Sequence, residues 1–131
     1  MIRGGNIEFR FDLSYSFDDL AVVKILFWQE NYNGPTKDRP LPIVKILEQC
    51  HPGDKPTDLG VTLNQEETLR FTDKRKAKVQ LRAATKTGIP IITKQHLVSV
   101  YPSKDDSILD GEVWPTPTYD GWVRLDGESI I

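Results

Sequence analysis

The most regular alternation of hydrophobic and polar residues lies between residues 7 and 14. Its polar positions carry charged or hydroxyl groups, and its apolar positions are Ile7, Phe9, Phe11 and Leu13. A period of two is that of a β-strand with one buried face. The pattern therefore predicts a half-buried antiparallel strand with these apolar side chains in the core.

The same period returns in residues 78–101. The apolar positions of its first half are Val79, Leu81 and Ala83. The pattern breaks at residues 85–88, where Gly88 can adopt the positive φ that a tight turn requires. Residues 89–92 and 97–101 then supply further extended runs. Because two strands alone bury too little apolar surface to persist in water, this predicted hairpin must be covered by the rest of the chain.

Three further segments are rich in β-branched and apolar residues and are predicted to be strands. They are residues 20–30, 43–49 and 60–63. The first is apolar along most of its length, which indicates burial on both faces or a central place in a sheet. A short buried helix is the alternative for this segment, because periodicity does not separate the two structures in an unbroken apolar run.

Helical structure is predicted only as short turns. Residues 16–19 form either a loop or one turn capped by Ser16. In residues 64–71 the Asn64 side chain can accept a hydrogen bond from a free amide of the first turn, and two glutamates follow near the positive end of the helix dipole. Leu69 of this turn is expected to point towards the core.

Two segments carry the residues that end regular structure. Residues 31–42 contain three prolines, and residues 51–56 contain two prolines and a glycine, so both are predicted to be loops or turns. The first is longer than most connections within compact domains, and loops of that length are often functional or disordered. The basic run at residues 74–78 is short and has acidic neighbours, which is typical of a solvated turn.

Five to seven short strands, separated by turns and joined by one helical turn, predict an all-β fold. We expect an Ig-like antiparallel β-sandwich formed by residues 1–113, whose last strand is residues 107–113. Residues 114–131 change in character, because Pro115 and Pro117 exclude a helix there and favour an extended path. They are predicted to be an extended C-terminal arm and not a second domain.

Large apolar side chains on this arm need a surface to cover them. The candidate interface residues are Trp114, Tyr119, Trp122, Ile130 and Ile131. An arm with few local residues to bury such side chains must contact something else. Two alternatives are open, since the arm could fold back on its own sandwich or dock on a neighbouring subunit.

Composition narrows the classes of partner and compartment. The chain has 131 residues and a net charge of −2, which gives no electrostatic footprint for nucleic acid or an anionic membrane. Its single cysteine, Cys50, excludes an intrachain disulfide and fits a reducing compartment. No secretory signal is visible, and the longest apolar run is far shorter than a membrane helix. We expect a soluble intracellular product without nucleic-acid or membrane partners.

The sequence offers little that could perform catalysis. Cys50 and His51 are adjacent, so on an extended chain their side chains would point to opposite faces and would not meet as nucleophile and base. One cysteine with one histidine also does not give a zinc site. His96 is expected at the surface or at a sheet edge, and the pair Asp105 and Asp106 in a solvated turn. No enzyme activity, cofactor or metal is predicted.

Four blocks of the sequence occur in a recognisable order. They are Ile2-Arg3-Gly4; residues 61–71, which contain Leu63-Asn64-Gln65-Glu66-Glu67-Thr68-Leu69; Val79-Gln80-Leu81-Arg82 with Thr85, Gly88 and Val98-Ser99-Val100; and Ile108-Leu109-Asp110-Gly111-Glu112-Val113. Together they resemble a family of small proteins encoded among the structural genes of tailed phages and prophages. The resemblance covers residues 2–113 and carries no catalytic residue. The chain departs from the family in its long loop at residues 31–42 and in the arm.

This resemblance implies a non-catalytic component of a phage virion that is synthesised in the host cytoplasm. Its partners would be copies of itself and other virion proteins. A tail or baseplate adaptor is the preferred role, with connector and capsid decoration as further possibilities. The alternative is a module that binds cell-surface glycans, in which residues 31–42 form the binding loop. Its stacking platforms would then come from Trp28, Tyr32, Trp114 and Trp122.

Overall fold

The structure, a computed structural model, describes residues 1–32, 34, 40–102 and 119–126, and in the last range it describes the side chain of Leu125 alone. The strands are β1 (Asn6–Asp12), β2 (Leu20–Trp28), β3 (Ile43–Ile46), β4 (Cys50–Pro52), β5 (Asp58–Leu63), β6 (Ala77–Thr85), β7 (Pro90–Ile92), β8 (His96–Val98) and β9 (Tyr119–Asp126). The helical segments are two 3₁₀ turns, Phe17–Asp19 and Leu47–Gln49, and the α-helical turn α1 (Gln65–Thr68).

The strands form two sheets. One has the order β4-β5-β1-β9, and the other has the order β3-β2-β6-β7. Strand β8 also pairs with β6, at residues 77–79, whereas β7 pairs with residues 82–84. All pairings are antiparallel except that of β1 with β9, which is parallel. The all-β sandwich predicted from the alternation is confirmed. Within the described residues, no helix is long and apolar enough to cross a membrane.

The core lies between the two sheets and is built from the alternating positions. Phe9 and Phe11 of β1 and Phe27 of β2 are fully buried, and the Phe9 and Phe27 ring centroids lie 5.2 Å apart across the sandwich. Val79 and Leu81 of β6 complete this layer. Each such side chain contributes roughly 1.5–3 kcal/mol through its transfer out of water. The predicted core faces of β1 and β6 are therefore confirmed.

Strand β2 is central, as predicted, but only one of its faces is buried. Val23, Ile25 and Phe27 face the core, whereas Val22 and Lys24 are exposed. The prediction of burial on both faces is wrong, and so is the alternative of a buried helix. The outer face of β2 also carries apolar side chains, among them the exposed Val22, and this explains why most of the strand is apolar.

Several local predictions require correction. Strand β3 ends at Ile46, and Leu47–Gln49 form a 3₁₀ turn that carries the chain into β4. His51 and Pro52 belong to β4, although they were predicted to lie in a turn. Residues 17–19 do form a helical turn, but the Ser16 side chain makes no capping hydrogen bond. The predicted strand at residues 107–113 lies outside the described residues, as do residues 33 and 35–39 of the predicted loop at 31–42.

The turn α1 follows the predicted capping scheme. The Asn64 side chain accepts a hydrogen bond from the Glu67 amide at 2.9 Å, and the Glu67 carboxylate accepts one from the Asn64 amide at 3.0 Å. This reciprocal arrangement satisfies two amides that a helix start leaves free. Leu69 is buried, as predicted. In the β6–β7 turn, Gly88 has the expected positive φ of 87°.

Candidate functional site

The most informative part of the molecule is the edge of the four-stranded sheet, where the C-terminal strand β9 lies beside β1. The register places Val123 next to Phe9 and Leu125 next to Phe11. The Leu125 side chain is only 6% exposed and belongs to the core. Eight residues of the predicted arm are therefore a strand of the same chain's sandwich.

The candidate interface residues divide into two groups. Tyr119 begins β9 at the position paired with Asn6, and Trp122 occupies the position paired with Glu8. The other three lie outside the described residues, together with the predicted domain boundary at residue 113. They are Trp114, Ile130 and Ile131.

On the outer face of the same sheet, a charged cluster spans β1, β4 and the turn that follows β4. The Arg10 guanidinium donates to both Glu8 carboxylate oxygens, with Nε–Oε1 at 3.2 Å and Nη2–Oε2 at 3.4 Å. It also donates from Nη1 to Asp54 Oδ2 at 3.0 Å. His51 Nε2 lies 3.4 Å from Glu8 Oε1. The hydrogen bonds with Glu8 are the main reason that the pKa of Arg10 is raised above its ordinary value.

Gly60 of β5 makes room for this cluster. It lies between His51 and Arg10 in the strand register. A Cβ atom at Gly60 would lie 2.3 Å from His51 Cε1 and 2.8 Å from Glu8 Oε1, so the imidazole and carboxylate occupy the space that any larger residue would fill. Sequence reasoning missed this cluster because its members lie up to 46 positions apart and meet only across strands.

Cys50 and His51 do not form a catalytic pair. Cys50 Sγ contacts the Ile46 carbonyl oxygen at 3.3 Å and packs against the core, whereas His51 lies over Gly60 on the outer face. Burial raises the pKa of the Cys50 thiol to about 11, and the nearby Glu48 charge adds to this shift. A thiol with such a pKa is a poor nucleophile at neutral pH.

His96 lies at a sheet edge, which was one of its two predicted positions, but its side chain is not at the surface. The residue is 8% exposed, and its ring makes an edge contact with Phe11 at a centroid distance of 6.1 Å. It lies on β8, a strand that pairs only with β6 among the described strands. A single histidine between strand segments gave no information about which face it would occupy. Among the described residues, no group of His, Cys, Asp or Glu side chains could hold a metal ion.

A second feature is an open cleft of about 410 Å³ at the end of β2. Its aromatic walls are Trp28 and Tyr32, with Leu41 and Pro42 from the chain that enters β3. Gln29 forms part of the lining, but its amide is fully engaged, since Nε2 donates to the Thr72 and Arg75 carbonyls at 2.8 Å and Oε1 accepts from the Thr72 amide at 2.9 Å. The structure thus brings together two of the four proposed stacking residues.

Two of the four sequence blocks that carry the family resemblance, residues 2–4 and 61–71, meet around α1. Arg3 donates from Nε to the Phe71 carbonyl at 2.6 Å and from Nη2 to the Leu69 carbonyl at 3.2 Å. Thr68 Oγ1 accepts from the Gly4 amide at 3.0 Å and donates to the Gly5 carbonyl at 2.8 Å. These contacts join the N-terminal segment to α1 and the residues that follow it. No model of a known protein family and no curated protein matches the chain.

Proposed function

We propose that this chain is a non-catalytic structural protein of a tailed-phage particle, with a tail or baseplate adaptor as the preferred role, and that it assembles with copies of itself through its C-terminal strand. The phage context is supported by the family resemblance of residues 2–113. The assembly mechanism is supported by one structural observation, the parallel pairing of β9 with the edge of β1. No cofactor takes part, and the partners are copies of this chain and other virion proteins.

Strand β9 is suited to exchange between subunits. It lies at the edge of its sheet, and its one described side chain, Leu125, packs into the core beside Phe11. Without β9, strand β1 would present an unpaired row of backbone groups, which is a template for another chain's strand. The same contacts would form if a neighbouring copy supplied β9.

The length of the connection permits this exchange. Sixteen residues, 103–118, separate Pro102 from Tyr119 in the sequence. Fully extended, a segment of that length reaches at most about 55 Å, which exceeds the diameter of a small domain. A parallel strand pair also needs no tight hairpin at its end, so the sequence neighbours of β9 do not tie it to its own subunit.

The test compares the solution mass of the full chain with that of Leu125→Glu, measured by light scattering. We expect a defined oligomer for the full chain and a smaller species for the variant, because a carboxylate at a core position weakens β9 docking. Gln95→Glu, at an exposed position between β7 and β8 in the other sheet, is the matched control and should keep the oligomer. Circular dichroism must show both variants folded. A full chain that is a monomer at all concentrations would overturn the assembly mechanism.

Glycan binding is the second candidate, and the cleft at Trp28 and Tyr32 is the observation that favours it. Aromatic faces offer stacking surfaces for sugar rings, while Asn31 at the rim supplies an amide. A glycan array probed with the full chain would test this role. Binding should disappear in Trp28→Ala and Tyr32→Ala but persist in Tyr101→Ala, a change at an exposed aromatic residue outside the cleft. An array without hits, or hits that survive these changes, would remove this candidate.

A further inference from the structure

The outer face of the five-stranded sheet combines exposed apolar side chains with cations, and its described strands contribute no carboxylate to it. Val22 is 60% exposed, Val44 42%, Ile46 44% and Leu97 60%. Lys24 and Arg82 lie among them and are also exposed. Among the outward-facing residues of the described strands β2, β3, β6, β7 and β8, none is Asp or Glu. We call this surface the cationic face.

The two central cations of this face are neighbours across strands. The register places Lys24 opposite Arg82 on one side and opposite Ile46 on the other. Like charges directly opposite each other in an antiparallel pair destabilise the sheet. Neither side chain forms an ion pair with a described residue, whereas Lys78 on the same face pairs with Glu30 at 2.8 Å. Within the part of the chain that the structure describes, these two adjacent positive charges have no carboxylate partner.

The apolar residues make this arrangement costly for a surface that only meets water. Val44 and Ile46 on β3, together with Val22 on β2, form a nearly continuous apolar band around Lys24. Contiguous apolar surface on a soluble protein indicates a contact site, unlike single scattered residues. A partner that covers the band would also strengthen electrostatic interactions with the cations, because it excludes water from them.

Charge decides between the possible partners. A second copy stacked on the same face would bring four cations together. A nucleic-acid interface would carry more basic residues and fewer apolar ones than this face does. We propose that the cationic face binds a protein surface on which carboxylates alternate with apolar side chains. This proposal goes beyond the assembly strand, since it uses neither β9 nor the β1 edge.

The experiment uses the folded full-length chain as bait for a displayed library of a small three-helix protein randomised on one helical face. We expect selected binders to be enriched in Asp and Glu together with apolar residues, relative to the unselected library. Their affinity should fall at least tenfold for K24E/R82E and for V22S/I46S. It should be unchanged for Thr62→Lys, which alters charge on the opposite sheet. Circular dichroism and unfolding curves confirm that each variant is folded.

Three outcomes would overturn the proposal. Binders without acidic enrichment, or binders unaffected by K24E/R82E, would show that the face selects no acidic partner. Sedimentation with vesicles of phosphatidylcholine and phosphatidylserine, lost in K24E/R82E, would assign the face to a membrane instead. A concentration-dependent mass that V22S/I46S abolishes would assign it to a second copy. None of these results depends on whether Leu125→Glu changes the oligomer, so the two proposals fail separately.

Discussion

The two outer faces of the sandwich differ in how their charged side chains are paired. On the four-stranded sheet, Arg10 is shared between Glu8 and Asp54, and His51 approaches the same Glu8 carboxylate. On the five-stranded sheet, Lys24 and Arg82 face each other across strands without a carboxylate between them. On the first face, Arg10 and Glu8 form ion pairs within the chain. On the second face, Lys24 and Arg82 form no ion pair with a described residue.

This difference separates residues that hold the fold from residues that are available for contact. The Glu8 side chain is only 12% exposed, so its carboxylate depends on Arg10 for compensation. Removal of one member of a largely buried pair leaves the other poorly solvated, which costs more than the pair itself contributes. Lys24 is exposed and has no such dependence. Substitutions on the two faces should therefore have opposite effects on stability.

The largest effect is expected for Glu8→Ala. The change removes the two hydrogen bonds that the Arg10 guanidinium donates to Glu8 and leaves a gap beside His51. We expect a loss of about 2 kcal/mol in the free energy of unfolding, measured by urea denaturation. Thr62→Ala, at an exposed position on adjacent β5, should change stability by less than about 0.5 kcal/mol. A Glu8→Ala protein as stable as the parent would show that the cluster does not contribute to the free energy of unfolding.

Gly60→Ala should have a somewhat smaller effect. The new methyl group would displace the His51 ring and press against the Glu8 carboxylate. Because both are side-chain ends that can move, we expect about 1 kcal/mol of destabilisation. In a His51→Ala background the cost should be smaller, which a double-mutant cycle would detect. Equal costs in both backgrounds would contradict this packing argument.

Lys24→Gln should raise stability slightly. It removes one of two like charges that lie opposite each other, and we expect a gain of about 0.5 kcal/mol in the free energy of unfolding. The gain should shrink at high salt, because exposed charges are screened. Arg10→Gln is the matched change on the other face and should lower stability. If both changes destabilise the protein, the charge of Lys24 is stabilising in the folded state, which contradicts the predicted repulsion between Lys24 and Arg82.

The smallest effect at neutral pH is expected on the inner side of β4, whose outer side carries His51. Burial raises the pKa of Cys50 from its ordinary value of 9.0 to about 11 in the folded state. The folded state therefore holds this proton more tightly than the unfolded state does. The associated stability is fully present below pH 9 and is lost as the pH rises towards 11. Cys50→Ala should show a shallower decline of unfolding free energy over this range, and identical slopes would contradict the assignment.

The sequence predicted the strands in which apolar and polar residues alternate. It missed the strands that form only through pairing with a segment distant in the sequence. β1 and β6 alternate strictly, so their core faces follow from periodicity alone. β4 was hidden because His51 and Pro52 resemble turn residues, although pairing with β5 makes them a strand. β9 was predicted only as part of an extended arm, since its partner β1 lies more than a hundred residues earlier in the chain and parallel pairing leaves no local turn signal.

The candidate sites were predictable only in part. Aromatic composition alone indicated Trp28 and Tyr32, and the structure brings them to one cleft. The sequence could not indicate the charge difference between the faces, because that difference arises from strand pairing. Pairing places Lys24 opposite Arg82 on one face, and on the other it brings Arg10 close to Glu8 and Asp54. Sequence spacing gives no direct information about such contacts across strands.

The most direct test of the central claim asks which subunit supplies β9. Asp12 and Asp126 are register partners of β1 and β9, at a spacing that a disulfide can bridge. The variant C50S/D12C/D126C would be oxidised and its mass determined without reductant. The proposed strand exchange predicts covalently linked oligomers, because β9 would then pair with β1 of a neighbouring copy. Quantitative intrachain disulfide formation at high protein concentration, with no linked oligomers, would contradict strand exchange.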